Sequence, residues 1–284
     1  MNSEKTMKEE KSKEGSFLEQ IKDFDGVPEL KGKEKSIKLL TSGLVETVYM
    51  LTVDDRRYAL LVGHEGTEQG IVKKEYKNLK RLHERNRDSV VKPLYYLSNE
   101  TMEAMLEDFI DQAWTIVADY DVLHGETVED ARFGIFLPGN IFVNTYKPFS
   151  KSQTSIVKSC IIAMLIKLFD EKSNLGLASC QIANGDFVFA GQIDDKEFNY
   201  ENVLNRLTLS AARELVSMTL EEYIDIIRKE FTIGTQIKNE LNSNDKTQFI
   251  INKRSLIPMT NDEIEKGIEL GIQLRDKDKE IEGR

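Results

Sequence analysis

Residues 36–62 constrain the fold most, because they predict two strands joined by a tight connection. They are rich in β-branched and aromatic residues, with a charged break at residues 54–57 and Gly43 near the start. Residues 68–86 then have apolar side chains at helical spacing. A strand pair followed directly by a helix indicates a mixed α and β fold.

The rest of the chain continues this mixture. A strand is predicted at 90–97 and another at 114–120, whereas 101–110 fits either a strand or a short helix. Pro138 and Gly139 interrupt strands or loops at 133–150. Four elements follow: a buried helix at 153–172, a hairpin-like pair of short strands in DFVFAGQI, a helical period from 202 to 231, and an amphipathic helix at 262–274.

Composition indicates a globular protein and disfavours nucleic acid as the main partner. The 284 residues are 40% hydrophobic, and the net charge is −10. Phosphate binding requires a cationic surface, although 39 Lys and Arg residues leave room for a local basic patch. The acidic surface favours a basic protein partner or another subunit.

Cysteine usage and hydropathy predict a cytoplasmic location. Cys160 and Cys180 provide no disulfide framework, and three scattered His residues form no zinc-ligand spacing. The charged N-terminal residues do not resemble a signal peptide. The apolar stretch at 155–169 is shorter than the roughly 20 residues that a membrane span needs.

Several stretches, taken in order, resemble the protein-kinase-like superfamily, which includes the aminoglycoside phosphotransferases. SGLVETVY resembles a Gly-rich loop entering its second strand, and YALLV resembles the third strand. In the next helix, one side carries Ile71, Glu75, Leu79 and Leu82. In the family, a glutamate on the inward side of this helix holds the lysine of the third strand. TIVADYDVLHGETVED resembles the strand and hinge between the lobes. The resemblance covers roughly residues 36–195.

The resemblance implies an α+β, two-lobed kinase-like fold with a small β-rich N-lobe and a mainly helical C-lobe. The predicted organisation is a charged tail and short helix at 1–34, the N-lobe at 35–121, a reduced helical C-lobe at 122–236, and a linker with a C-terminal helix at 237–284.

Two stretches compete for the catalytic loop of the family. FGIFLPGN at 133–140 contains a Pro-Gly-Asn sequence, but it leaves no room for the long buried helix that should precede the loop. SCQIANGDFVF at 179–189 follows that helix, and position therefore favours it. Pro138, Gly139 and Asn140 then form a turn.

The resemblance also implies a set of site residues. Gly43, Glu75 and Asp119 take the cofactor-binding positions. Asp186 takes the position of the metal-binding Asn, and Asp194 or Asp195 that of the metal-binding Asp.

The residues expected to carry catalysis are missing. Leu61 stands at the lysine position and offers no charge-assisted contact to phosphate. Gln181 stands at the catalytic Asp position and cannot accept a proton, and Ser179 replaces the preceding His. The catalytic positions are therefore degenerate.

Structural interpretations of the same residues remain open. If Val72, Tyr76 and Leu79 form the inward stripe of the helix, Glu75 is a solvated residue on its outer side. If Glu75 faces inward instead, it needs Arg56, Arg57 or water as a partner. Asp186 and Asp194 also fit acidic turn residues.

Three functions follow from these observations. The first is a catalytically inactive, pseudokinase-like interaction or regulatory scaffold with no cofactor. The second is an unorthodox phosphotransferase that uses ATP and Mg²⁺ through Asp186 and Asp194, with a relocated basic residue such as Lys73 or Lys74. The third is a two-domain α+β binding or structural protein whose strands merely imitate the kinase motif.

Overall fold

A five-stranded antiparallel sheet forms the first half of the molecule. The computed structural model describes residues 27, 30, 33, 35–42, 46–64, 70–99, 102–110, 113–118, 131–135, 143–177, 184–191, 193–241 and 259–282. The strands are β1 Lys35–Ser42, β2 Glu46–Val53, β3 Arg56–Gly63, β4 Pro93–Ser98 and β5 Glu103–Asp108, in the order β1-β2-β3-β5-β4. The predicted strand pair around residues 54–57 is confirmed as β2 and β3, but β1 is a third strand within the same stretch. The undecided segment at 101–110 contains the strand β5.

The tight turn between β2 and β3 follows from its residues. Val53 pairs with Arg56, so only Asp54 and Asp55 connect the strands. Asp54 has a φ of 53°, a left-handed conformation that Asp tolerates better than most residues. The charged break at 54–57 is therefore a two-residue hairpin.

One helix, α1 Ile71–Arg85, packs against this sheet. Its buried side chains are Val72, Glu75, Leu79 and Leu82, at the spacing that places residues on one helix face. The predicted helix at 68–86 is confirmed, and Glu75 belongs to its inward stripe.

The second half combines helices with a second sheet. Its described helices are α2 Lys151–Lys167, α3 Tyr200–Leu204, α4 Leu220–Leu241 and α5 Asn261–Glu282. The sheet has the order β11-β10-β6-β7-β8. Its strands are β6 Ala113–Ala118, β7 Ala131–Ile135, β8 Val143–Pro148, β10 Asn184–Ala190 and β11 Leu207–Leu209, and a separate pair joins β9 Leu175–Leu177 to β12 Leu215–Ser217.

The strand predicted at 114–120 lies in the second sheet. β6 pairs with β7 and β10, whereas β5 pairs with β3 and β4. The chain therefore passes between the sheets between Asp108 and Ala113, earlier than the hinge that the resemblance implies.

Two other predictions of local structure are wrong. DFVFAGQI is not a pair of short strands, because residues 184–190 form one strand between β6 and β11. Within the stretch from 202 to 231 that is predicted to be helical, residues 207–209 and 215–217 form the short strands β11 and β12. Leu207 and Leu209 alternate with a less buried Thr208, so their spacing fits a strand as well as a helix.

The apolar helix α2 is a core element, as predicted. Every residue from Ser159 to Ile166 is buried, and a helix that is apolar all round requires neighbours on all sides. At its start, the Ser150 hydroxyl accepts from the Gln153 backbone while the Gln153 side chain accepts from the Ser150 backbone. Among the described residues, no helix combines the length and apolar character needed to cross a membrane.

A buried apolar cluster joins the two halves. Leu61 of β3 and Leu79 of α1 belong to the same cluster as Ile161 of α2, Phe187 of β10 and Tyr223 of α4. A second cluster covers the other face of the first sheet and includes Leu60 and Leu106. Consecutive residues of β3 thus point to different cores, and Leu61 faces the second half.

Candidate functional site

The candidate site lies where the inner face of the first sheet meets α1 and the second half. Alternation along the strands places Leu61 on the same face as Glu46 of β2 and Glu107 of β5. Leu61 pairs with Val48 on one side and Met105 on the other. Two acidic side chains therefore share a sheet face with an apolar residue at the predicted lysine position.

Glu75 reaches this region from α1. Glu75 is 1% exposed, and its Oε1 atom accepts a hydrogen bond from the Ala212 backbone N–H at 3.1 Å. Its Oε2 atom has no hydrogen-bond partner among the described residues. Burial, followed by the charge of Glu46, raises the pKa of Glu75 to about 8, although Arg213 opposes this shift.

Of the partners predicted for Glu75, Arg56 and Arg57 are wrong. Arg56 instead forms an ion pair with Asp108 at 3.1 Å, and the Arg57 guanidinium lies 5.6 Å from the centre of the Phe109 ring. The backbone of Ala212 and the charge of Arg213 take the partner role. Both follow β11, in a stretch that the sequence predicts to be helical.

Arg213 supplies positive charge to the acidic residues. Its guanidinium lies 3.5 Å from the Glu46 carboxylate. Burial lowers the pKa of Arg213, but Glu46, Asp186 and Glu75 more than offset this and raise the pKa above its ordinary value. Burial also raises the pKa of Glu46, against the opposing charges of Arg213 and His64. The Arg213 guanidinium therefore interacts electrostatically with three carboxyl groups, those of Glu46, Glu75 and Asp186.

Glu107 is another buried acid of the group. Burial, followed by the charges of Glu75 and Glu46, raises its pKa well above the ordinary value. Its Oε2 atom also lacks a hydrogen-bond partner among the described residues. Glu46, Glu75, Glu107 and Asp186, together with Arg213, are called the carboxyl cluster below.

The two predicted metal-binding residues differ in their surroundings. Asp186 is buried on β10, and its charge acts on Glu75 and Arg213. Asp194 is exposed and precedes a short 3₁₀ turn, Asp195–Glu197. Within the described ranges, no group of three or more His, Cys, Asp or Glu side chains is arranged to hold a metal ion.

The remaining predicted site residues have different outcomes. Leu61 is buried in the apolar cluster that also contains Phe187. Gly43, Asp119, Ser179 and Gln181 lie outside the described residues.

The segment 212–214 also fastens α1 to the second half. The Asn78 side chain donates to the Ala212 carbonyl at 2.9 Å, and Lys74 lies 3.9 Å from Glu214. Together with the bond to Glu75, these contacts hold the middle of α1 against the turn after β11.

Sequence reasoning missed the roles of Glu107 and Arg213. Glu107 is recognisable only once residues 103–108 are assigned to a strand, because alternation with Met105 then places it on the inner face. Arg213 has no motif around it, and only tertiary structure brings it to Glu46.

The arrangement of elements matches the two-lobed plan that the sequence resemblance implies. Five antiparallel strands carry one helix between the third and fourth strands, and a buried glutamate of that helix faces the sheet. The other helices follow in the second half. The fold is protein-kinase-like.

Comparisons with known proteins list kinase domains among similar structures. The chain is similar to the autoinhibited serine kinase domain of the giant muscle protein titin, at 10% identity and a TM-score of 0.38 over 66% of this chain and 47% of that one. It is similar to the BubR1 kinase domain at 13% identity and a TM-score of 0.38, over 66% of this chain and 49% of that one. The match spans about half the length of those domains. No protein-family model and no curated protein sequence matches the chain.

The sequence resemblance predicts that the lysine position of the family lies on the inner face of β3, towards the helix glutamate. Leu61 occupies that face here. The glutamate therefore lacks a lysine partner from β3, and the Ala212 N–H and the charge of Arg213 act on it instead.

Proposed function

We propose that this kinase-like protein is a catalytically inactive module that acts as a protein-interaction or regulatory scaffold. The observation that carries the proposal is the carboxyl cluster beside Leu61. Where the family binds nucleotide phosphates with a lysine, this chain has an apolar side chain among acids.

The cluster disfavours nucleotide binding because its cation, Arg213, is already engaged by an acid. Two unit charges 4 Å apart interact by about 4 kcal/mol at an effective dielectric of about 20. Arg213 already lies 3.5 Å from Glu46, so a phosphate would compete with existing carboxylates for this cation. Leu61 and Phe187 also fill part of the space between the halves with buried apolar atoms.

The phosphotransferase alternative has less support. Lys73 is exposed and lies 5.7 Å from the centre of the Tyr96 ring, and Lys74 is exposed beside Glu214. Both lysines are exposed, whereas Glu75 is buried. Asp194 is exposed, whereas Asp186 is buried.

Thermal unfolding with and without ATP and Mg²⁺ tests the proposal. A ligand at 100 times its Kd stabilises a protein by about 2.7 kcal/mol, enough to raise Tm by several degrees. We expect no Mg²⁺-dependent change in Tm with millimolar ATP.

A Mg²⁺-dependent rise in Tm that Asp186→Asn abolishes would contradict this proposal. Incubation with labelled ATP completes the test, with Asp194→Asn beside Asp186→Asn. Incorporation of label that either substitution removes would favour the phosphotransferase. Equal signals from all three proteins would exclude a role for these carboxylates.

A further inference from the structure

The outer face of α1 is a basic surface on an acidic protein. Residues 71–92 contain eight Lys and Arg residues against three acids, a net charge of +5. Because the whole chain has a net charge of −10, the remaining residues have a net charge of −15. Lys73, Lys77 and Lys80 lie on one face of α1 at i, i+4 and i+7, all exposed, and are called the basic ridge below.

The neighbouring cations of α1 are used within the fold. Arg81 and Arg85 both form ion pairs with Asp170, whose side chain is 4% exposed. Lys74 lies beside Glu214. These contacts fix the flank of α1 to the second half, so that the ridge keeps one orientation.

The lysines of the basic ridge form no such ion pairs within the described part of the chain. Among the described residues, Lys77 and Lys80 have no side-chain partner, and Lys73 contacts only the Tyr96 ring. Like charges three and four residues apart on a helix destabilise it modestly. The exposed Glu84, four residues after Lys80, offsets part of this repulsion, and an anionic partner would relieve the repulsion that remains among the three lysines.

The size and charge of the ridge favour a short acidic protein segment over a nucleic acid. From Lys73 to Lys80 the ridge spans seven residue steps, about 10 Å along the helix axis, which a short peptide segment can follow. A nucleic acid strand would extend beyond the ridge onto the rest of the surface. The residues outside 71–92 have a net charge of −15, which disfavours a polyanion that extends past the ridge.

We propose that the basic ridge docks an Asp- and Glu-rich segment of a partner protein. The proposal rests on the proposed scaffold function and specifies the chemistry of its partner. The contact is electrostatic and exposed, so it sets the association rate and the salt dependence of binding.

Fluorescence anisotropy with a labelled peptide tests the docking. The probe is a 12-residue peptide of alternating Asp and Glu, titrated with the full chain at about 50 mM salt, where surface charges are weakly screened. The test variant is Lys77→Glu with Lys80→Glu, which removes no contact among the described residues. The matched control is Lys229→Glu with Lys277→Glu, two exposed lysines on α4 and α5.

We expect saturable binding that weakens as salt rises. The ridge variant should bind the peptide about 10-fold or more weakly, whereas the control variant, with the same net charge, should stay within about 2-fold of the wild type. Circular dichroism of both variants shows whether each is folded. No nucleotide is present, so this result is independent of the ATP test.

Four outcomes would overturn the proposal. The first is absence of peptide binding, and the second is equal weakening in both variants, because net charge alone would then explain binding. The third is tighter binding of a 12-nucleotide single strand than of the peptide. Ridge-dependent dimerisation in size-exclusion chromatography would also overturn it and assign the ridge to a second copy of this chain.

Discussion

Glu75 shows how one buried side chain couples the site to pH. Its pKa of about 8 lies above the ordinary value of 4.5, so the folded protein binds more protons than the unfolded chain between these pH values. Unfolding then releases protons, and stability must fall as pH rises from about 4.5 to 8. Glu46 and Glu107, whose pKa values are also raised, shift stability in the same direction.

Glu75→Gln should remove part of this pH dependence. Glutamine keeps an oxygen that can accept from the Ala212 N–H, but it does not ionise. We expect the free energy of unfolding of the variant, relative to wild type, to rise by about 1 kcal/mol or more between pH 5 and pH 8. Urea unfolding at both pH values measures this difference.

Glu84→Gln is the matched control, because Glu84 is exposed on the same helix. Its stability should follow that of the wild type at both pH values. If Glu75→Gln and the wild type lost stability in parallel between pH 5 and pH 8, the assigned protonation of Glu75 would be wrong.

The site residues show how far sequence reasoning reaches. The position of Leu61 follows from counting along one strand, and the structure places it on the inner face. The inward position of Glu75 follows from helical spacing. The contact between Arg213 and Glu46 joins residues 167 positions apart, and no local sequence pattern predicts it.

Elements were predicted well where one period is long and uninterrupted. α1 and α2 extend over several turns with consistent patterning, and both are confirmed. β11 and β12 have three residues each, too few for alternation to outweigh a helical spacing of leucines. Pairing with β10 and β9 determines their conformation instead.

The packing of α5 on α2 depends on two glycines. A Cβ atom on Gly267 would lie 2.6 Å from both the Ile162 Cβ atom and the Ser159 carbonyl oxygen. A Cβ atom on Gly271 would lie 2.5 Å from the Ile166 Cβ atom. The α5 backbone therefore lies directly against α2, as small residues at a helix interface allow.

Gly267→Ala should destabilise the protein by about 2 kcal/mol or more, because overpacking of a core moves backbone or strains rotamers. Intrinsic helix propensity acts in the opposite direction, since alanine is favoured over glycine by about 1 kcal/mol. Urea unfolding measures the net of the two effects. Lys277→Ala, at an exposed position of the same helix, should change stability by less than about 0.5 kcal/mol. A Gly267→Ala variant as stable as the wild type would show that the two helices are farther apart.

At the scale of the whole molecule, the shared apolar cluster makes the two halves one folding unit. Leu61, Val72 and Leu79 of the first half contact the same cluster as residues of α2, β10 and α4. Arg275 of α5 donates to the carbonyls of Ile166 and Phe169 and so ties the last helix to the end of α2. Loss of either half would expose the core of the other, and separate unfolding is therefore disfavoured.

Leu60→Ala tests this coupling from a distance. Leu60 is fully buried in the cluster on the far face of the first sheet, and the substitution should cost about 2–5 kcal/mol. The single tryptophan, Trp114, lies on β6 in the second sheet. If the halves unfold together, the urea midpoint from Trp114 fluorescence should fall as far as the midpoint from far-ultraviolet circular dichroism.

Leu39→Ala, at an exposed leucine of β1, should move neither midpoint appreciably. A Leu60→Ala protein whose fluorescence midpoint stays at the wild-type value while its dichroism midpoint falls would show that the two sheets unfold independently.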